Sequence, residues 1–231
     1  MRAAFLQCNN SNYLRIKDTT MKRITLFILA CLSLLTVRAQ DSGFSIDTIS
    51  DAVFLRMQGR SFPANCSTPR SDLRYLRVLH RNAEDSVRCG ELVCNKAIAE
   101  DLLDFFKQLY DAHYPIEHIR LIDDYEADDE LSMRDNNSSS FCFRVVPGTT
   151  KLSKHARGLA VDINTRYNPY VRTRNGRRLV SPDNGLPYVD RTKSFPYKIE
   201  EGDLCYRLFI SHGFTWGGHW RTMKDYQHFE K

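Results

Sequence analysis

The 231-residue sequence has no internal repeat and no low-complexity tract, which argues against solenoid arrays and disordered spacers. It also lacks an apolar run long enough to span a bilayer comfortably: the one strongly hydrophobic stretch, Ile24 to Val37, is short for that purpose. A surplus of one charge sign is missing as well, once the N-terminal region is set aside. Residues 1–39 hold six of the 33 Lys/Arg and one of the 28 Asp/Glu, so residues 40–231 carry 27 of each. The formal net charge of +5 therefore belongs to the leader, and charge gives no reason to expect a nucleic-acid partner.

What is present begins with that leader. Met21-Lys22-Arg23 starts a basic n-region, Ile24 to Val37 supplies the apolar core, and Val37-Arg38-Ala39 offers small residues where a signal peptidase reads. The expectation is an exported protein cleaved near Ala39, in the periplasm or at the cell surface, with no stable membrane span afterwards. Residues 1–20 read as an over-extended start or an unusual n-region. A lipoprotein anchored at Cys31 is the rival, because Ile28-Leu29-Ala30-Cys31 partly resembles a lipobox, although Leu29 is bulky there. Five cysteines follow the leader: Cys66, Cys89, Cys94, Cys142 and Cys205. In an exported chain they are expected to form disulfides, Cys89 with Cys94 being the most local pair, and the odd count leaves one over.

The 42% hydrophobic content fits a soluble globular chain with one principal domain. Residues 40–90 are polar and turn-rich, with a moderately periodic piece at Leu73 to Leu79, and read as an extension packed on a main domain at 91–231. Ile98, Leu102, Phe105, Phe106 and Leu109 recur at helical spacing behind Asn95, predicting an amphipathic helix over about 96–111. Ile116 to Ile122, Ser139 to Val146 and Leu159 to Ile163 read as strands. The segment 166–195 has three prolines and little periodicity, the mark of a functional or disordered excursion. Asp203 caps a helix carrying Leu204 and Leu208 that Gly213 ends, and a last strand falls near Tyr226 to Phe229. The sum is an α+β domain with a small, mainly antiparallel sheet and flanking helices.

The stretch Ser153 to Asn164, "SKHARGLAVDIN", carries the chemistry. Alternation puts Leu159, Val161 and Ile163 on one face and Ala160, Asp162 and Asn164 on the other. A carboxylate in an otherwise apolar strand must be paired, hydrogen-bonded or bound to a cation. His155 and Asp162 suit zinc, which then needs a third protein ligand and an open position for water. His228 is the candidate, with Asp225 three residues before it as a general base. By itself a lone histidine at a strand start is more often a hydrogen-bonded structural residue than a ligand, and a D-x-x-H at a chain end also reads as a surface strand with charged ends.

Together, Ser153-x-His155-x-x-Gly158-x-Ala160-x-Asp162 and Asp225-x-x-His228 resemble the signatures of the VanX/VanY-type zinc D,D-carboxypeptidases and their L-alanyl-D-glutamate peptidase relatives. That fold family is shared with lysostaphin-type peptidases and the hedgehog signalling domain. The resemblance runs from about Ser140 to Lys231 and includes Trp216 to Trp220, "WGGHW". It implies one zinc per chain on His155, Asp162 and His228, with Asp225 as base, and peptidoglycan stem peptides as substrate. It further implies an arginine holding the carbonyl oxygen, for which Arg144, in a Phe143-Arg144 context, is the nearest match. Ser153 is expected to touch substrate or to support the His155 turn, and Trp216, His219 and Trp220 to line the cleft; core packing explains the tryptophans about as well. His80, His113, His118 and His212 take surface or structural roles.

The expected activity is hydrolysis of an amide in the stem, as carboxypeptidase or endopeptidase, by a monomer. Two alternatives stand beside it. One is a zinc-containing module that binds cell-wall peptide or a protein partner without cutting; the other is a disulfide-braced domain in which His155 and Asp162 only hydrogen-bond.

Overall fold

Strand β1 (Ser45–Thr48) pairs antiparallel with β2 (Leu73–Arg81), which pairs along its whole length with β3 (Val87–Asn95). A computed structural model describes residues 43–231, which form one unit; the segment read as a signal peptide lies outside the described residues. Alternation sends Leu76, Val78, Leu92 and Cys94 into the main core, while Leu73 and Val93 enter a smaller cluster with Ile49, Met57, Leu121 and Phe141. Both faces of the hairpin are therefore covered, the outer one by helix α1 (Asp51–Met57), whose first turn is capped by Ser50. Strand β3 runs across residue 90, so the β2–β3 hairpin joins residues on either side of that position.

Helix α2 (Ala99–Asp111) buries Leu102, Phe105, Phe106 and Leu109 against this sheet, as their spacing predicts. It starts four residues after Asn95, whose Oδ1 instead accepts from the Ala97 N–H in a turn leading into the helix. Each of these side chains contributes roughly 1.5–3 kcal/mol of burial. Helix α4 (Leu204–Ser211) begins at Asp203, whose Oδ1 accepts the Tyr206 N–H at 2.7 Å, and brings Phe209 against Phe105.

The other strands are short. Strands β4 (His118–Ile119) and β5 (Asn137–Ser138), separated by helix α3 (Asp129–Arg134), form a two-stranded parallel ladder. Strand β6 (Ala160–Asp162) pairs with β11 (His228–Glu230), which pairs in turn with β9 (Thr215–Trp216). Strands β7 (Tyr170–Arg174) and β8 (Arg177–Ser181) make a hairpin, with β10 (Lys224–Asp225) on the free edge of β7. The expected single small sheet is thus three antiparallel sheets and one parallel pair among the described residues.

Two stretches take forms that their sequence patterns do not announce, for identifiable reasons. The 166–195 excursion contains the β7–β8 hairpin, turned at Asn175-Gly176 with both residues at positive φ, the geometry that favours Asn-Gly. Its strands are largely solvent-exposed, so they carry no apolar alternation. Residues 139–146 form only isolated bridges, Ser139 to Asp162 and Val145 to Leu152, because the segment turns away after one step along β6.

The cysteines do not pair: all five described are free. Cys89 and Cys94 sit on one strand, the first exposed and the second in the core. Five residues of strand separate their Cα atoms by about 17 Å, far beyond the ~6 Å a disulfide tolerates.

Candidate metal centre

The site is built on the β6–β11 ladder. Asp162 and His228 are directly opposed in register, so their side chains leave the sheet on the same face. The Asp162 Oδ1 to His228 Nδ1 distance is 2.9 Å. His155 enters from a single 3-10 turn, His155–Arg157, that Gly158 closes at φ +66°. A Cβ at Gly158 would lie 2.6 Å from the Asn95 backbone nitrogen, which donates to the Gly158 carbonyl at 2.8 Å. The glycine thus lets the turn dock on the end of β3 and brings His155 Nε2 to 3.2 Å from both Asp162 Oδ2 and His228 Nδ1.

One ligand atom from each of His155, Asp162 and His228 lies within 4.8 Å of the others, and all three residues are buried. The remaining ring nitrogens are already engaged. His155 Nδ1 is 2.6 Å from the Ser140 carbonyl, which accepts its proton and leaves Nε2 a lone pair facing the centre. His228 Nε2 is 3.2 Å from Glu230 Oε2, which leaves Nδ1 facing the same point. Ser140 is fixed in turn by its hydroxyl, which donates to the Ala160 carbonyl at 2.6 Å.

The electrostatics call for positive charge at this point. Burial opposes ionisation of Asp162, but the two histidines hold its carboxyl far below the usual carboxylate range. Burial likewise disfavours a charged His228, yet the carboxylates of Asp162 and Glu230, with Asp225 behind them, raise its imidazole to about 10. Two imidazoles and a carboxylate converging on one point is the donor set of a zinc site with room for a non-protein ligand, and the residues present fit that ion.

Asp225 stands beside this cluster on β10. Burial is the main influence on its carboxyl and pushes it up to about 6, with the Asp162 charge adding to the rise. Its Oδ1 is buried with no hydrogen-bond partner. Gly217 permits the placement: a Cβ there would fall 2.5 Å from the Asp225 carbonyl oxygen and 2.8 Å from its Cβ.

Arg144 lies nearby, its Nε 2.5 Å from Asp129 Oδ2. Burial disfavours its charge, but Asp129 and, more weakly, Asp162 keep the guanidinium firmly protonated. Asp129, in the first turn of α3, has its own carboxyl raised by burial, and the charges of Arg144, His155 and Asp162 all act on it.

Other expected site residues fall elsewhere. Ser153 is buried, and its Oγ accepts the His155 N–H at 3.2 Å, so it supports the turn. Trp216 is buried in the core, stacked on Phe229 with its indole N–H donating to the Tyr226 carbonyl. His219 packs edge-on against Trp216 and Tyr206, with Nε2 3.6 Å from Glu201, away from the cluster. Trp220 is the aromatic at the site, its ring centroid 5.3 Å from that of His228. Sequence reasoning missed Glu230, although its i+2 position on a strand puts it on the His228 face, and it missed Asp129, for which no sequence signal exists.

This arrangement of two imidazoles and a carboxylate could hold a metal ion. Residues 147–231, which carry all four of His155, Asp162, Asp225 and His228, match the family of D-alanyl-D-alanine carboxypeptidases. The match supports the wider peptidase superfamily for this part of the chain, a mixed α and β fold with small antiparallel sheets. No curated protein and no solved structure matches the chain.

Proposed function

We propose that the protein is a zinc metallopeptidase that hydrolyses amide bonds in peptidoglycan stem peptides. The observation that carries this reading is the buried, partnerless Oδ1 of Asp225 beside three converging ligand atoms. A module that only binds has no use for a buried carboxylate oxygen left without a partner, which costs free energy to keep.

His155 Nε2, Asp162 and His228 Nδ1 would hold the ion. A zinc bound there supplies a Lewis acid that polarises the scissile carbonyl and makes water a competent nucleophile near neutral pH. Asp225, with its carboxyl raised toward neutrality, takes the proton from the attacking water and returns it to the departing amine. Arg144, held by Asp129, presents a fixed positive charge to the oxygen of the carbonyl under attack, a contribution of roughly 3–4 kcal/mol by analogy with oxyanion donors. Glu230 and the Ser140 carbonyl fix the orientation of the two imidazoles.

The basic and apolar leader at 22–39 supports export to the compartment where such peptides occur, and the fold requires no second copy to complete the site. No helix among the described residues is long and apolar enough to cross a membrane. The test is digestion of defined muropeptides followed by mass spectrometry. Release of D-Ala or of shortened stems, abolished by a chelator and restored by zinc, is expected; intact muropeptides with zinc-loaded protein would overturn the proposal.

A further inference from the structure

The β7–β8 hairpin carries Arg172, Arg174, Arg177 and Arg178 within seven residues, all exposed. Among the described residues none of these four pairs with a carboxylate. Four unneutralised guanidinium groups on one small hairpin repel one another, and a protein with equal numbers of acids and bases after its leader has counter-charges to spare. The hairpin therefore holds a concentrated positive charge that the fold itself does not use.

Register shows where that charge points. Arg174 pairs with Arg177 and Arg172 with Leu179, so Arg172, Arg174 and Arg177 share one face of the hairpin with Tyr170. Arg178, paired with Thr173, lies on the opposite face. Across the other edge of β7, Tyr170 is the register partner of Asp225. The residue proposed as the base and the three arginines thus belong to the same face of one continuous three-stranded sheet. Along β7 the arginines begin about 7 Å from the Asp225–Tyr170 pair and reach about 14 Å. That is the span of two to four residues of an extended peptide.

We infer that the Arg172, Arg174 and Arg177 face docks the carboxylates of an acidic peptide whose scissile bond lies beside Asp225, which makes it the substrate-selecting arm of the site. The inference rests on the peptidase reading for its orientation and adds the chemical class of substrate: peptides bearing free carboxylates within a few residues of the cut. Guanidinium forks suit this task because they bind carboxylates bidentately and stay charged at any working pH.

The experiment compares an acidic peptide with its carboxamide counterpart, in wild type, in an Arg172→Gln, Arg174→Gln, Arg177→Gln triple variant, and in Arg178→Gln. Binding is measured in parallel by fluorescence anisotropy in an Asp225→Asn background, at low salt and near 0.15 M. The triple variant should lose about tenfold in kcat/KM on the acidic peptide, chiefly through KM, together with most of the preference over the carboxamide. Arg178→Gln, which removes one of the hairpin's four charges, from the other face, should change both by less than about twofold. Equal effects from Arg178→Gln, or an unchanged KM in the triple variant, would overturn the inference. Arginine-dependent binding of the acidic peptide without cleavage by wild type would leave the docking face standing and count against the peptidase reading alone. Binding of a polyphosphate but not of the acidic peptide would overturn the substrate class.

Discussion

Asp162 and His228, 66 residues apart in sequence, are register partners across the β6–β11 ladder, with Oδ1 and Nδ1 2.9 Å apart. One strand pairing therefore sets two of the three proposed ligands, and a slip of a single residue would turn one of the two side chains to the opposite face. Phe229, between His228 and Glu230, points into the core and stacks on Phe209 at 4.2 Å, which locks that register.

Removing the proposed base separates chemistry from metal binding. Asp225→Asn should lower kcat by about 10²–10⁴-fold while zinc content stays at the wild-type level. Steady-state kinetics alongside metal analysis check this, and near-wild-type turnover would remove Asp225 from the mechanism.

The pH profile follows from the same residue. A base acts when deprotonated, so kcat/KM should rise with pH through an acidic limb. With the Asp225 carboxyl pushed up to about 6 by burial, and a bound cation able only to pull it down, that limb should fall at or below pH ~6. Asp225→Asn should abolish the limb; a limb that persists belongs to another group.

Glu230 should act through His228. Glu230→Gln keeps the shape and loses the charge that holds the Nε2 proton, and zinc affinity is expected to weaken by about 10–100-fold. Competition with a chromophoric chelator measures it, and an unchanged affinity would reduce Glu230 to a surface acid.

His80 provides a stability prediction away from the site. Burial drives its imidazole down to about 4, and Nδ1 donates to the Ile116 carbonyl at 2.8 Å. Between pH 6.5 and 4 the unfolded chain takes up a proton that the folded one refuses. Its contribution is thus complete above pH 6.5 and is lost as pH falls toward 4, by roughly 3 kcal/mol. Urea unfolding of wild type and His80→Gln across this window should show the two curves converging toward acid; parallel curves would contradict it.

How much of this was legible in sequence depends on how each element is buried. Helix α2 and helix α4 have one wet face, so their apolar spacing announces them. Strands β2 and β3 send apolar residues to clusters on both faces, which blurs the apolar/polar alternation of a half-buried strand. Hairpin β7–β8 is exposed on both sides, which erases it too, although Asn175-Gly176 marked the turn. At the site, the proposed ligands and the proposed base are legible because each is a costly residue in an apolar strand or beside one. Trp216 packs in the core, one of the two readings its sequence context allows, because an aromatic beside two glycines reads alike in a core and at a surface.

The central claim is that His155, Asp162 and His228 together bind zinc. Metal analysis of the purified protein tests it most directly, run on wild type and on Asp162→Asn and His228→Gln. About one zinc per chain in wild type, lost from both variants while their folded circular-dichroism spectra persist, is the predicted result. Zinc absent from wild type after loading, or retained in full by both variants, would contradict it.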